Sequence, residues 1–175
     1  MPKLLKRIVD GIYQLNRWIG EMMSWAILGM VVVTFAIVIL RYFFNTGWVW
    51  MQEIVIYLHA FVFLLACGST LVQDGHVRVD IFYREASPKT KRRIDLLGAL
   101  FLLLPTCLLI FYQAFPFVMD SWSVLEGSKD GGGLEGVFIL KTAILAFCIL
   151  TFLQALAMAG RFFLGEAMTE GELNG

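Results

Sequence analysis

Charge is scarce in this chain, and no acid falls in the middle of its long apolar runs. Only 16% of the residues are charged, against about 25% in soluble domains. The 14 basic residues balance the 14 acidic ones, so the total says nothing about nucleic acid or acidic partners, and the distribution of charge along the chain is the informative quantity. Histidine is limited to two residues, His59 and His76; both belong to one stretch, which leaves no facing pair to ligate a haem iron. The three cysteines, Cys67, Cys107 and Cys148, each fall in a different apolar stretch. Their spacing excludes a zinc-type cluster or a disulfide framework, and they read as small buried apolar residues. Gly131-Gly132-Gly133 is a flexible turn that lacks the context of a phosphate-binding loop. No catalytic, cofactor or metal site is expected.

What the chain does have is hydrophobicity. Of its 175 residues 59% are hydrophobic and the mean hydropathy is +0.75; soluble domains lie at about 45–50% apolar. Crossing a hydrocarbon core of about 30 Å takes roughly 20 mostly apolar residues at about 1.5 Å per residue. Four stretches meet that length: 22–40, 54–72, 96–118 and 137–163. Unpaired backbone groups are costly in lipid and no period-two alternation suggests a barrel, so the spans should be helices. The fold class is therefore an all-α integral membrane protein, a single domain over 1–175 with four transmembrane helices. Pro105 in the third span should bend it, because the ring removes a backbone hydrogen bond. The first run has no small-residue cleavage site after it and reads as an uncleaved anchor.

The positions of the basic residues orient the bundle. Of the 14 Lys and Arg residues, only Arg41, Lys129 and Lys141 fall on the side of the first and third loops. The positive-inside bias then puts the N-terminus, the second loop and the C-terminus in the cytoplasm. Tyr42, Phe43, Phe44, Trp48, Trp50 and Trp122 mark the opposite interface. Within 1–21, Leu4, Leu5, Ile8, Ile12 and Leu15 recur at helical spacing opposite Lys3, Lys6 and Arg7, which predicts an amphipathic helix lying on the cytoplasmic surface. Ser87-Pro88 reads as an N-cap and first-turn proline opening the third helix.

Polar groups within spans are candidates for function, and they are few. Glu21 reads as a boundary residue favoured by a helix dipole, and His59 as a satisfied, hydrogen-bonded residue; Gln113 and Gln154 complete the set. Arg41 and Glu53 flank the short first outer loop. They either pair across it, stapling two helix ends, or each complements its own helix dipole, and spacing does not decide between the two. The second loop opens Asp74-Gly75-His76-Val77-Arg78-Val79-Asp80, with Gly75 marking the helix end. Small residues Ala66 to Thr70, with Ala155 and Ala159, would let helices approach closely. A self-sufficient homo-oligomeric channel or exporter, or the haem-bearing anchor of a redox enzyme, would also be a small helical membrane protein; neither has positive support in the residues.

In order along the chain, Arg41-Tyr42-Phe43-Phe44, Trp50-Met51-Gln52-Glu53, Gly75-His76-Val77-Arg78-Val79-Asp80 and Gln154 before Arg161 resemble the small membrane subunit (DctQ-like) of tripartite ATP-independent periplasmic (TRAP) transporters. The likeness extends from about 27 to 161. It implies a scaffold in the bacterial inner membrane that supports a large membrane subunit. A periplasmic binding protein would deliver an organic anion, most simply a carboxylate, and sodium would couple in the large subunit. No cofactor and no nucleic acid are implied. Arg41, Glu53, Gly75, His76, Arg78 and Asp80 are the residues it marks for contacts between helices or subunits. The glycine-rich third loop, 129–136, departs from many such subunits.

Overall fold

The computed structural model describes residues 2–76, 83 and 85–165. Within them every regular element is helical, and four helices are long and apolar enough to cross a membrane. The first is α1 (Pro2–Phe43). The second joins α2 (Val49–Leu65) to the short α3 (Cys67–Val72) through Ala66. The third runs through α4 (Pro88–Gly98), a π-helical turn (Ala99–Leu103) and α5 (Leu104–Ser123). The fourth is α6 (Val137–Leu164).

The expected division between a surface helix over 1–21 and a first span does not exist as a break. α1 is continuous over 42 residues, about 63 Å at helical rise and twice the hydrocarbon thickness. Nor does most of its apolar row turn inward; of that row only Ile12 packs against the core. Val9, Tyr13 and Asn16 are the buried residues of this segment, at 2%, 5% and 0% exposure, while Leu4, Ile8 and Leu15 stay exposed. Lys3, Lys6, Arg7, Gln14 and Arg17 form a third, exposed polar row. The sequence pattern shows two faces because Val9 and Tyr13 pack into the protein beside an apolar row that does not.

Helix ends follow local chemistry. After α1, Asn45 adopts a left-handed conformation (φ 51°) and the Thr46 N–H reaches back to the Leu40 carbonyl at 3.0 Å. At the end of α3 the left-handed residue is Asp74 (φ 60°), one before the expected glycine. The Gly75 N–H closes on the Thr70 O at 2.9 Å and the Asp74 N–H on the Leu71 O at 3.3 Å, a Schellman closure. Ser87 caps α4 by accepting the Thr90 N–H at 3.3 Å, with Pro88 in the first turn as its sequence predicts. Pro105 is accommodated by the π turn before it, where the Leu104 N–H bonds to the Ala99 carbonyl. The wider turn absorbs the clash and the missing donor of a proline inside a helix.

α6 is the centre of the bundle, packed by α1, α2, α3 and α5. Its small residues Ala143, Ala155, Ala157, Ala159 and Gly160 are buried. Lipid tails are as apolar as leucine, so such contacts rest on close packing and interhelical hydrogen bonds. α1 supplies the partner for the small residues at the end of the second span: a Cβ at Gly68 would fall 2.1 Å from the Asn16 Oδ1. Val9, Tyr13, Val72, Ala157 and Met158 close the core where α1, α3 and the end of α6 converge.

Candidate functional site

Three polar constellations stand out from the apolar bundle, two at the helix ends beside the first and third loops, the outer side in the orientation that the basic residues predict, and one at the opposite, inner end. In the first, Glu53, in the opening turns of α2, reaches across to the glycine-rich third loop. Its carboxylate accepts the Ser128 hydroxyl through one oxygen and the Leu134 N–H, at 2.5 Å, through the other. The loop folds onto itself at the same point: the Ser128 N–H bonds to the Leu134 O at 3.0 Å, and the Asp130 N–H to the Ser128 Oγ at 3.1 Å. Gly133 is required by space, since a Cβ there would lie 2.7 Å from the Glu53 Oε1 and closer still to Ser128. The third loop, which no motif in the sequence explains, is a receptor for this carboxylate.

Arg41 does not share that carboxylate. It is exposed on the last turn of α1, where a cation complements the helix C-terminus. The alternative in which the pair staples the first two helices gives way to one in which Glu53 binds the third loop. Both donors that the Glu53 carboxylate accepts come from the third loop, and Arg41 is not among its partners.

The second constellation ties the outer ends of α5 and α6. Lys141 Nζ meets the Glu126 Oε2 at 2.5 Å, and Ser121 donates to the same oxygen at 2.7 Å. These two hydrogen bonds, Lys141 first, hold the Glu126 carboxyl below its ordinary pKa. The ammonium also sits 3.9 Å from the Phe117 ring centroid, a cation–π contact. Beside it the Trp122 indole donates to the Thr142 Oγ1 at 2.8 Å. Sequence reasoning misses Glu126 and Lys141 because each looks like an isolated charge at the end of a span; their position on opposite sides of one loop is the available signal.

At the inner end, Asn16 Nδ2 donates to the Gln154 Oε1 at 3.0 Å, and both residues are 0% exposed. Asn16 gives no signal in the sequence because it lies before the apolar run, where polarity is ordinary. Nearer the ends of the same two helices, the Arg161 guanidinium lies 3.5 Å from the Tyr13 ring centroid and 3.7 Å from Asp10. His76 Nε2 stands 3.6 Å from the Cys67 Sγ. Arg78 and Asp80, marked with Gly75 and His76 in the sequence, lie outside the described residues. Within this chain His59 does not find the hydrogen bond expected of it: among the described residues it is exposed on α2, its ring 6.5 Å from that of Phe63.

Among the described residues these constellations fasten helices and loops of the bundle to one another. A family model described as "Tripartite ATP-independent periplasmic transporters, DctQ component" matches residues 30–165. The chain belongs to this family. Comparisons with curated proteins and with solved structures found no match. The DctQ match takes in the Glu53 clasp, the Glu126–Lys141 pair and Gln154; Asn16 lies before it. This DctQ-family chain is thus a multi-pass component of a tripartite transporter, with one half of its buried amide pair contributed from outside the matched region.

Proposed function

We propose that this chain is the small scaffold subunit of a TRAP transporter. It holds a large membrane subunit in place during sodium-driven uptake of an organic anion, a carboxylate being the simplest case, delivered by a periplasmic binding protein. The observation that carries the reading is where the polar groups lie. Carriers that move ions through their own core place carboxylates or broken helices near the midplane. Here Glu53, Glu126 and Lys141 are at the outer helix ends and already engaged, and the fully buried side-chain hydrogen bond at the opposite end is between two neutral amides. Substrate and sodium then belong to the larger partner. Deleting this chain while keeping the large subunit and binding protein should abolish sodium-dependent uptake in cells. Uptake that persists at the wild-type rate would overturn the scaffold role.

The same reading sets the chain in the bacterial inner membrane with both ends in the cytoplasm, supported by the split of basic residues between the two sides. The exposed Leu4, Ile8 and Leu15 row beside Lys3, Lys6 and Arg7 suits a helix end resting among cytoplasmic headgroups. Cysteine introduced at Gly132 should react with an impermeant thiol reagent added to whole cells, and cysteine at Thr90 only after lysis, in a background free of native cysteines. Labelling of position 90 in intact cells would reverse the orientation.

A further inference from the structure

In a membrane, a side chain facing away from its own subunit meets either lipid or another protein, and the two differ in what polar groups they tolerate. The outward face of α1 is suited to lipid. Trp25, Leu28, Val31, Val32 and Phe35 are exposed there, and its outward hydroxyls are already satisfied: Ser24 donates to the Gly20 O at 3.1 Å and Thr34 to the Met30 O at 2.8 Å.

α2 is different. Beyond its first two residues, its exposed positions fall on a single row, Gln52, Ile56, His59 and Phe63, with Ile56 58% and Phe63 74% exposed. The steps of four, three and four residues make a straight seam along the helix, the geometry by which one helix receives another. His59 sits in the middle of that seam, about 9 Å below Glu53 along the helix axis. A neutral imidazole carries one donor and one acceptor. The described residues offer His59 only the Phe63 ring, hydrocarbon offers nothing, and an imidazole lacks the long stem with which Lys or Arg snorkels to the headgroups. Ionisable residues within spans face protein or water and are matched by a partner group. A face that carries one outward is therefore a face that another protein covers.

We propose that the Gln52–Ile56–His59–Phe63 row of α2 is the docking seam for a transmembrane helix of the large membrane subunit, and that this helix supplies a hydrogen-bonding side chain to His59. The identity of the occupant rests on the scaffold role: a component of a tripartite transporter has a different chain, rather than its own copy, as its membrane partner.

The test uses the full chain co-expressed with its transporter partners in native membranes. A photoreactive p-benzoylphenylalanine is placed singly at Ile56 and Phe63 on the seam, at Phe35 on the outward face of α1, and at Leu109 on the α5 face that carries the exposed Gln113. Illumination should join the chain to the larger subunit from positions 56 and 63. His59→Leu should lower recovery of the large subunit with the tagged small one several-fold, and His59→Asn, which keeps a donor and an acceptor, should recover much of the loss. Adducts with a second copy of the chain from positions 56 and 63 would overturn the occupant. If those positions give no adduct in a complex that still co-purifies, the seam is wrong and the scaffold role stands. If no larger subunit co-purifies at all, the scaffold role falls and the seam with it.

Discussion

Asn16→Leu is expected to destabilise the folded chain more than Gln154→Met, and the double variant less than either. The asymmetry follows from what each change strands. Leucine matches the branched shape of asparagine, so the notch beside Gly68 stays filled and the effect is polar. With Asn16 gone, the Gln154 Oε1 loses its donor while its Nε2 already has no hydrogen-bond partner. The carboxamide is then buried with neither end satisfied, a loss of about 1–3 kcal/mol. With Gln154 gone, Asn16 keeps an intrahelical bond from Nδ2 to the Ile12 O at 3.3 Å, which places Gln154→Met toward the low end of that range. Replacing both amides by apolar groups of like shape leaves nothing stranded. Hydrogen bonds between membrane helices measure lower on average, about 0.6 kcal/mol, because the unfolded chain in the bilayer also finds partners; the order of the three variants is therefore what the test reads. Detergent-titrated unfolding of the purified complex measures all three. A double variant worse than Asn16→Leu would mean that the pair contributes beyond its own satisfaction, and a stranded carboxamide would not explain the single-variant losses.

Four spans are legible in the sequence because span length is a bulk property: about 20 apolar residues leave a signal that no single residue can erase. The cap at Ser87 and the helix end near Gly75 are legible for the opposite reason, being local chemistry written in adjacent residues. What stays hidden is contact at long range. Asn16 and Gln154 are 138 positions apart, and Glu53 and Leu134 are 81 apart; neither periodicity nor composition carries information across such distances. The N-terminal segment shows a subtler loss. Its hydrophobic pattern reads as one apolar face and holds two, one packed on α3 and α6 and one left outward, and alternation of residue type does not say which apolar residues meet protein. The expectation for His59 fails on the same ground. A histidine in a span is satisfied by something, but the sequence does not show that the something lies outside this chain.

The outer clasp gives the other large effect, and it separates two accounts of Glu53. If the carboxylate serves the third loop, as its bonds to Ser128 and Leu134 indicate, then Glu53→Ala frees the segment from Ser128 to Leu134. Cysteine at Gly132, the left-handed residue at the tip (φ 78°), then reacts faster with thiol reagents, and uptake falls. Ser128→Ala removes one of the two donors and should reproduce part of the change. Because both substitutions break one shared interaction, their combination should cost less than their sum, while the Leu134 N–H contact keeps Glu53→Ala the more severe single change. Arg41→Ala provides the contrast. Exposed at the end of α1, it touches neither donor, so its effect should add to that of Glu53→Ala without coupling. A charge-swapped Arg41→Glu, Glu53→Arg variant should recover little, since an arginine at position 53 has no acceptor for the Leu134 N–H. Strong coupling between 41 and 53 together with simple additivity between 53 and 128 would restore the staple between the first two helices and remove the clasp.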